Sequence, residues 1–309
     1  MDKPITILGA FLVDLACRTD RLPAWGETMH GTSFAFGPGG KGANQAVAAA
    51  RQGARVNMIT RIGNDAFGQI AADLFAREGI GTEFVLRDHA TPTGTATIIV
   101  DDQRGENAII IVPGACGNLS VADVDAAAAM IADSALFVSQ LELDLKVCLQ
   151  GIALAHSAGV PVVLNPAPAV ALPESVFPQI TYLTPNETEA AAMVGRPIAA
   201  PGDAKAAAHA LREKGVGNAL ITLGGQGVYV CGAGFEGQVP AVDAGELRDT
   251  TGAGDAFNGG LAAALAAGAG LREAVHFGCA VAGISVTRPG TAPSMPQRTE
   301  VVALLEGAA

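Results

Sequence analysis

Short apolar segments rich in β-branched residues alternate with longer segments of helical pattern along the middle of the chain. This alternation is typical of βαβ units around a mostly parallel sheet whose strands are buried on both faces. The pattern predicts strands at residues 135–142, 160–166, 180–187 and 218–230 and helices at 145–158, 187–194 and 203–214. We expect the last helix to begin with Asp203 as its N-cap and to end before Gly215. The sequence therefore predicts an α/β fold with helices around a central sheet.

Two regions depart from this alternation. The apolar segments 95–101 and 107–114, joined by the polar residues 102–106, predict an antiparallel hairpin, and residues 11–36 form a second, irregular β-like stretch. We interpret them as one small lid, discontinuous in sequence and formed by about 11–36 and 92–113. Because the chain has neither a long linker nor a repeat of fixed period, we expect residues 1–309 to form a single catalytic domain.

Composition narrows the classes of partner. Half of the residues are hydrophobic and 16% are charged, which predicts a compact globular protein. Thirty acidic residues against 19 basic ones give a net charge of −11, which would repel a nucleic-acid backbone, so we expect no nucleic acid as partner. An anionic ligand would need a local source of positive potential, such as the free amides at a helix start or a metal ion.

The cysteines and the apolar segments bear on location. The five cysteines are scattered, without a CxxC pair and without histidines at zinc spacing, which fits a reducing compartment. The N-terminal apolar run is too short for a secretory signal, and no strongly apolar segment approaches the roughly 18 to 20 residues that cross a bilayer. We therefore expect a cytoplasmic protein without a membrane partner.

A glycine cluster in FGPGGKGANQAVAAA (36–50) precedes an alanine-rich helical pattern. Its spacing matches GxGxxG. A dinucleotide site also requires an acidic residue at the end of the next strand, and the next strand-like segment (56–63) has none there. A P-loop is also excluded, because Lys41 is followed by Gly42 instead of serine or threonine. The cluster is either a backbone that a ligand approaches closely, with Lys41 and Asn44 beside it, or a tight turn before a packed helix.

Two further motifs follow predicted strands, at the edge where open α/β sheets bind ligands. In TPNETEA (184–190), Asn186, Glu187 and Glu189 have the ligand chemistry to hold Mg²⁺ through water, or they form an acidic first helical turn favoured by the helix dipole. In LITLGGQGVYV (220–230), the residues after the strand are either a nucleotide site or a glycine hairpin.

DTTGAGDAF (249–257) combines a helix start that can bind an anion with a carboxylate that can accept a proton. Gly252, Ala253 and Gly254 stand at the start of a small-residue helix, where unpaired amides and the helix dipole attract an anion. Asp255 in the first turn could accept a proton from a hydroxyl group beside a bound phosphoryl group, or it could simply cap the helix.

These motifs together resemble those of the ribokinase-like carbohydrate kinases, the PfkB family. The resemblance runs over nearly the whole chain, and GGKGAN and GAGD are its two specific signatures. It implies a three-layer ribokinase-like fold with a mostly parallel central sheet flanked by helices, plus a small discontinuous β lid. It also implies transfer of the γ-phosphate of ATP to the primary 5-hydroxyl of a pentose, D-ribose first, with Mg²⁺ and a monovalent cation, K⁺.

The resemblance also implies roles for individual residues. Asp255 would be the catalytic base, and Gly252, Ala253 and Gly254 would form the anion hole. The sugar-binding positions are Leu12, Asp14, Gly40, Lys41, Asn44, Glu142 and Asp255. The nucleotide positions are Asn186, Thr222, Gly224, Gly225, Gly227, Gly254 and Cys279. Asn186 and Glu189 belong to the motif linked to Mg²⁺ through water, and the K⁺ loops contain Asp249, Thr251, Ser285, Arg288, Gly290 and Ser294.

Two positions depart from the family pattern. Leu12 stands where ribokinases typically have a sugar-binding asparagine, which resembles the deoxyribose kinases, and Cys279 stands where a histidine can contact adenine. The substrate is therefore ribose, 2-deoxyribose or another small sugar or nucleoside; a catalytically silent sugar sensor is the alternative outside the enzymes. Because family members often pair through the lid, we also expect a homodimer, with the apolar segment TATIIV at a sheet edge.

Overall fold

The fold is described from a computed structural model, over residues 3–102, 107–199 and 202–307. Its strands are β1 (Ile5–Leu8), β2 (Leu12–Thr19), β3 (Ser33–Gly39), β4 (Val56–Gly63), β5 (Gly81–Asp88), β6 (Thr93–Asp101), β7 (Asn107–Gly114), β8 (Leu136–Ser139), β9 (Val162–Leu164), β10 (Tyr182–Leu183), β11 (Asn218–Thr222), β12 (Val228–Gly232) and β13 (Phe235–Val239). Its α-helices are α1 (Lys41–Arg51), α2 (Ala66–Arg77), α3 (Val121–Ala126), α4 (Ala128–Ala132), α5 (Leu145–Ser157), α6 (Glu187–Val194), α7 (Asp203–Glu213), α8 (Ala253–Ala266), α9 (Leu271–Ser285) and α10 (Arg298–Gly307). Within those ranges, none of the helices combines the length and the apolar character needed to cross a bilayer.

Nine strands form the main sheet, in the order β13-β12-β11-β10-β9-β8-β1-β4-β5. All neighbouring pairs from β11 to β5 are parallel, whereas β12 runs antiparallel to both of its neighbours. The predicted parallel α/β sheet is therefore confirmed. Two details were wrong: residues 218–230 form two antiparallel strands separated by a turn at Gly224–Gln226, and α7 has Gly202 as its N-cap, with Asp203 as its first residue.

Apolar residues on the two faces of the sheet belong to different cores. In β1, Ile7 packs with the core that includes α1, α8 and α9, whereas Leu8 packs with the core that includes α5 and α7. Val163 and Leu164 of β9 divide in the same way. Because neighbouring side chains of a strand point to opposite faces, helices cover both faces and the fold has three layers, as predicted.

The second sheet has four strands in the order β3-β2-β6-β7. β6 and β7 are antiparallel, which confirms the predicted hairpin pairing; residues 103–106 of the turn between them lie outside the described residues. TATIIV is not at an edge, because β2 pairs with β6 in parallel and leaves β3 and β7 as the edges. The interpretation of the chain as one catalytic domain with this sheet as its lid stays a prediction.

Candidate active site

Asp255 lies in the first turn of α8 and is buried, with 4% of its surface exposed. It does not cap the helix: Gly252 is the N-cap, and no side chain accepts a capping hydrogen bond there. Its carboxylate instead accepts hydrogen bonds from two side chains of α1, to Oδ2 from Asn44 Nδ2 (2.9 Å) and to Oδ1 from Gln45 Nε2 (3.0 Å). A buried carboxylate oriented by two neutral donors can accept a proton at this site.

The glycines before Asp255 shape the backbone at the start of α8. Gly252 has φ of 79°, a left-handed conformation that favours glycine. Apart from its chain neighbours and the backbone of its own helix, no atom of the described residues lies within 4 Å of where a side chain on Gly254 would begin, so a ligand can approach this backbone closely. The amide of Ala253 donates to the carbonyl oxygen of Thr250 (3.2 Å). The role of these three residues as an anion hole stays a prediction.

Lys41 and Glu142 lie beside Asp255. The backbone amide of Lys41 donates to Glu142 Oε2 (2.7 Å), which fixes the start of α1 against the segment after β8. The carboxylate of Asp255 raises the pKa of the Lys41 ammonium, which keeps it charged. Burial raises the pKa of Glu142 to about 7, although Lys41 opposes the change. The site therefore combines a lysine ammonium with several acidic groups that are largely removed from solvent.

Asp14 projects from β2 toward the same region. Thr291 Oγ1 donates to Asp14 Oδ2 (2.9 Å), and burial raises the pKa of Asp14 to about 6. A side chain on Gly39, in the neighbouring strand, would overlap the Asp14 carboxylate at 2.2 Å, so glycine makes room for it. Gly40 follows with φ of 84° and precedes α1 directly. Leu12, two residues before Asp14, is buried in the apolar core and lies against Gly94 of β6.

Five of the seven predicted nucleotide residues come from two neighbouring strand ends. Thr222 at the end of β11 forms a parallel bridge with Asn186, which follows β10. Apart from chain neighbours, no atom of the described residues lies within 4 Å of where a side chain on Gly224 or Gly225 would begin. A side chain on Gly227 would lie 2.1 Å from the carbonyl oxygen of Val239. The first two glycines therefore leave room for a ligand, and Gly227 is required by packing.

Asn186 and Glu189 form a capping box at the start of α6. Asn186 Oδ1 accepts from the Glu189 amide (2.8 Å), and Glu189 Oε2 accepts from the Asn186 amide (2.9 Å). Asn186 Nδ2 also donates to Glu189 Oε1 (3.0 Å), and burial raises the pKa of Glu189. These oxygens are oriented by the cap, and carboxylate and amide oxygens suit a hydrated Mg²⁺, so the residues fit that ion through water.

Cys279 on α9 is 6% exposed and packs in an apolar cluster with Leu220, Val228 and Phe257. Burial raises the pKa of its thiol to about 12. Cys279 therefore behaves as a core side chain, and its contact with a base stays a prediction.

The predicted K⁺ residues come from two loops that Asp249 holds together. Asp249 Oδ1 accepts from the Thr251 amide and Oδ2 accepts from the Gly290 amide, both at 2.9 Å. The hydroxyls of Ser285 and Ser294 donate to the carbonyl oxygens of Ala282 and Thr291, and Arg288 pairs with Glu300. Because these side chains are engaged within the protein, a cation here would depend mainly on backbone carbonyls, and its binding stays a prediction.

The sequence interpretation missed several buried polar residues of the site. They are Gln45, Gln140, Asn165, Thr184, Asn258 and Thr291. Three of them follow strand ends in the sequence, Gln140 after β8, Asn165 after β9 and Thr184 after β10, and that position is a usable signal. Gln45 directly follows Asn44 in the glycine motif, where the local pattern shows it only as part of a helix.

Comparison with known proteins identifies the family of the chain. The model of the family "pfkB family carbohydrate kinase" matches residues 2–298. A ribokinase of Haemophilus influenzae is 40% identical over 308 residues, covering 100% of both chains, and a deoxyribokinase of Salmonella typhi is 36% identical, covering 98% of this chain and 99% of its own. The structure of Arabidopsis thaliana ribokinase complexed with ribose and ATP matches with a TM-score of 0.90 at 30% identity, covering 99% of both chains. The chain belongs to the pfkB family of carbohydrate kinases and is a ribokinase-type phosphotransferase.

Proposed function

We propose that this sugar kinase transfers the γ-phosphate of ATP to the primary 5-hydroxyl of D-ribose, giving ribose 5-phosphate and ADP. The observation that carries the proposal is the buried Asp255 carboxylate, held between Asn44 and Gln45 at the start of α8, with Lys41 beside it. The similar Arabidopsis ribokinase is complexed with ribose and ATP, which supports the same pair of ligands here.

Asp255 acts as general base in this reaction. Its Oδ2 takes the proton as the 5-oxygen bonds to the γ-phosphorus, and the bond from phosphorus to the bridging oxygen breaks to release ADP. Lys41 and the amide of Gly254, which unlike that of Ala253 has no such backbone partner among the described residues, stabilise the negative charge of the transferring group. Mg²⁺, when bound, supplies further charge neutralisation on the phosphates, near Asn186 and Glu189. The loops joined by Asp249 would hold K⁺, which would supply fixed positive charge near the start of α8.

Asp14, Lys41, Asn44 and Glu142 bind the sugar hydroxyls in this proposal. Asn44 Oδ1 is buried without a hydrogen-bond partner among the described residues, so an acceptor remains for a hydroxyl. Leu12 supplies no hydrogen bond, and a site without a partner for a hydroxyl discriminates less against the sugar that lacks it. This supports 2-deoxyribose as a second substrate, in line with the deoxyribokinase at similar identity.

The small sheet supports the proposal of a homodimer. Phe34 and Phe36 of the edge strand β3 stack with their rings 6.1 Å apart and are 63% and 60% exposed. Ile110 and Val112 of the other edge strand, β7, are also more than half exposed. Exposed apolar side chains clustered on one sheet are typical of an interface. Light scattering across micromolar concentrations tests this, and a monomer throughout that range would contradict it.

The proposal includes a cytosolic location. All five cysteines are free thiols in the structure, and four of them are buried. Unpaired thiols are typical of a reducing compartment. A reporter fusion that fractionates with an extracytoplasmic marker would contradict this part of the proposal.

A coupled ADP-release assay tests the reaction. The substrates are ribose, 2-deoxyribose, arabinose, fructose and adenosine, each with and without K⁺. We expect Mg²⁺-dependent and ATP-dependent turnover with ribose, activity with 2-deoxyribose, and a loss of rate without K⁺. Turnover with adenosine alone would contradict the choice of a sugar. If no substrate is turned over, a ribose-induced rise in melting temperature would indicate a sugar sensor instead.

A further inference from the structure

Gln45 is completely buried on α1, directly after the sugar-side residue Asn44. Its carboxamide has three polar contacts. Nε2 donates to Asp255 Oδ1 (3.0 Å) and to Asn165 Oδ1 (3.2 Å), and Oε1 accepts from Gln140 Nε2 (2.7 Å). A side chain needed only for packing would be apolar here, since burying an amide is costly unless all its partners are present.

The partners of Gln45 are anchored at the carboxyl ends of the central strands. Gln140 directly follows β8, and its carbonyl oxygen accepts from the thiol of Cys148 (3.2 Å). Asn165 directly follows β9, and its Nδ2 donates to the carbonyl oxygen of Thr184 (3.3 Å). The chain of hydrogen bonds thus connects the rigid sheet to the Asp255 carboxylate through one side chain.

The direction of the Gln45 amide follows from this chain. Gln140 donates to Oε1, so the Gln45 NH₂ group must point toward the Asp255 carboxylate, where only a donor is favourable. The two carboxylate oxygens consequently differ. Oδ1 is held on the sheet side by Gln45, and Oδ2 lies on the side of Asn44, whose own Oδ1 has no protein partner among the described residues.

We propose that Gln45 is a positioning residue for the phosphoryl transfer: it fixes Asp255 Oδ1 to the sheet, so that Oδ2 faces the attacking hydroxyl. The proposal rests on the proposed function. The proton of the sugar hydroxyl moves to Oδ2, and Oδ1 keeps its hydrogen bond from Gln45 throughout. Without that bond the carboxylate can rotate about its Cβ–Cγ bond, and a misplaced base costs rate more than binding.

Steady-state kinetics of Gln45→Met test the proposal, because methionine keeps length and flexibility but removes the amide. We expect kcat with the best sugar to fall about 10- to 100-fold while the KM values for sugar and ATP stay within about threefold. In the Asp255→Asn background, Gln45→Met should cause almost no further loss, because the two residues act as a unit. A rise in KM in proportion to the loss of kcat, or full additivity in the double variant, would overturn the proposal.

A matched control lies directly after the same helix. Gln52 is also completely buried, and its Nε2 donates to the carbonyl oxygen of Pro296 (2.8 Å), away from Asp255. Gln52→Met removes one hydrogen bond where Gln45→Met removes three, so it should lower the melting temperature by no more than Gln45→Met and leave kcat within about twofold. An equal loss of kcat in the two variants would reduce Gln45 to a structural role.

A second variant covers the case in which Gln45→Met does not fold. Gln45→Glu keeps the shape and an acceptor for Gln140, but it sets a carboxyl group against Asp255. We expect kcat at pH 7 to fall at least tenfold and to recover partly as the pH falls, because the protonated carboxyl group can donate to Asp255 Oδ1; a pH profile identical to that of the wild type would overturn the proposal. If the wild type turns over no sugar, the proposed function fails; if it is active and both variants keep its kcat, only the role of Gln45 fails.

Discussion

Glu142→Gln should make the folded protein less sensitive to rising pH. Burial raises the pKa of Glu142 from its ordinary value of 4.5 to about 7 in the fold. Between these two values the folded state holds more protons than the unfolded chain, so the free energy of unfolding falls as the pH rises through this window. The two pKa values set a ceiling of about 3 kcal/mol for that loss, of which about 2 kcal/mol falls between pH ~5.5 and ~8.

The substitution removes the ionisation and keeps an oxygen that can accept from the Lys41 amide. Urea denaturation at pH 5.5 and pH 8 measures the free energy of unfolding of both proteins. Between pH 5.5 and pH 8, we expect the free energy of unfolding of the wild type to fall by up to about 2 kcal/mol more than that of the variant. Glu83→Gln, at an exposed position of β5, is the control and should follow the wild type. Parallel pH dependence of Glu142→Gln and the wild type would refute this reasoning.

Three further outcomes follow from the structure. Leu12→Asn should raise the ratio of kcat/KM for ribose to that for 2-deoxyribose about tenfold or more, and an unchanged ratio would remove Leu12 from sugar selection. Gly259→Ala should cost about 1 to 3 kcal/mol, measured by urea denaturation, because its side chain would lie 2.4 Å from Ala48 Cβ and force α8 away from α1; Gly270→Ala, with open space, is the control. Replacing K⁺ by a bulky organic cation should lower kcat, whereas an unchanged rate would argue against the loops joined by Asp249 as its site.

Much of the fold could be predicted from the sequence because the local pattern of apolar and polar residues determines its strands and helices. The alternation of buried strands and helices predicted the parallel sheet, and the residues around Gly252 and Asp255 predicted a site at the start of α8. The position of TATIIV was not readable, because β2, about 80 residues earlier in the chain, pairs with β6 and determines which strands become edges. The turn at Gly224–Gln226, which separates β11 from β12, could not be predicted because apolar residues continue on both sides of the glycines.

The polar network behind the site could be predicted only in part. Asn44 and Asp255 lie in recognisable motifs, but their contact depends on the close crossing of α1 and α8, where Gly259 lies against Ala48. No local pattern shows that crossing. The contacts of Gln45 could not be predicted for the same reason. Its amide bonds to Asp255, Asn165 and Gln140, which only the fold brings together.

The most direct test of the account compares the wild type with Asp255→Asn in ATP-dependent phosphorylation of ribose, with the product analysed by ³¹P NMR. For the wild type we expect ribose 5-phosphate. For the variant we expect kcat to fall at least about 100-fold, because the base is lost, while calorimetry still detects ribose and ATP binding. A variant that phosphorylates ribose at the wild-type rate, or a wild-type product phosphorylated elsewhere on the sugar, would contradict the central claim.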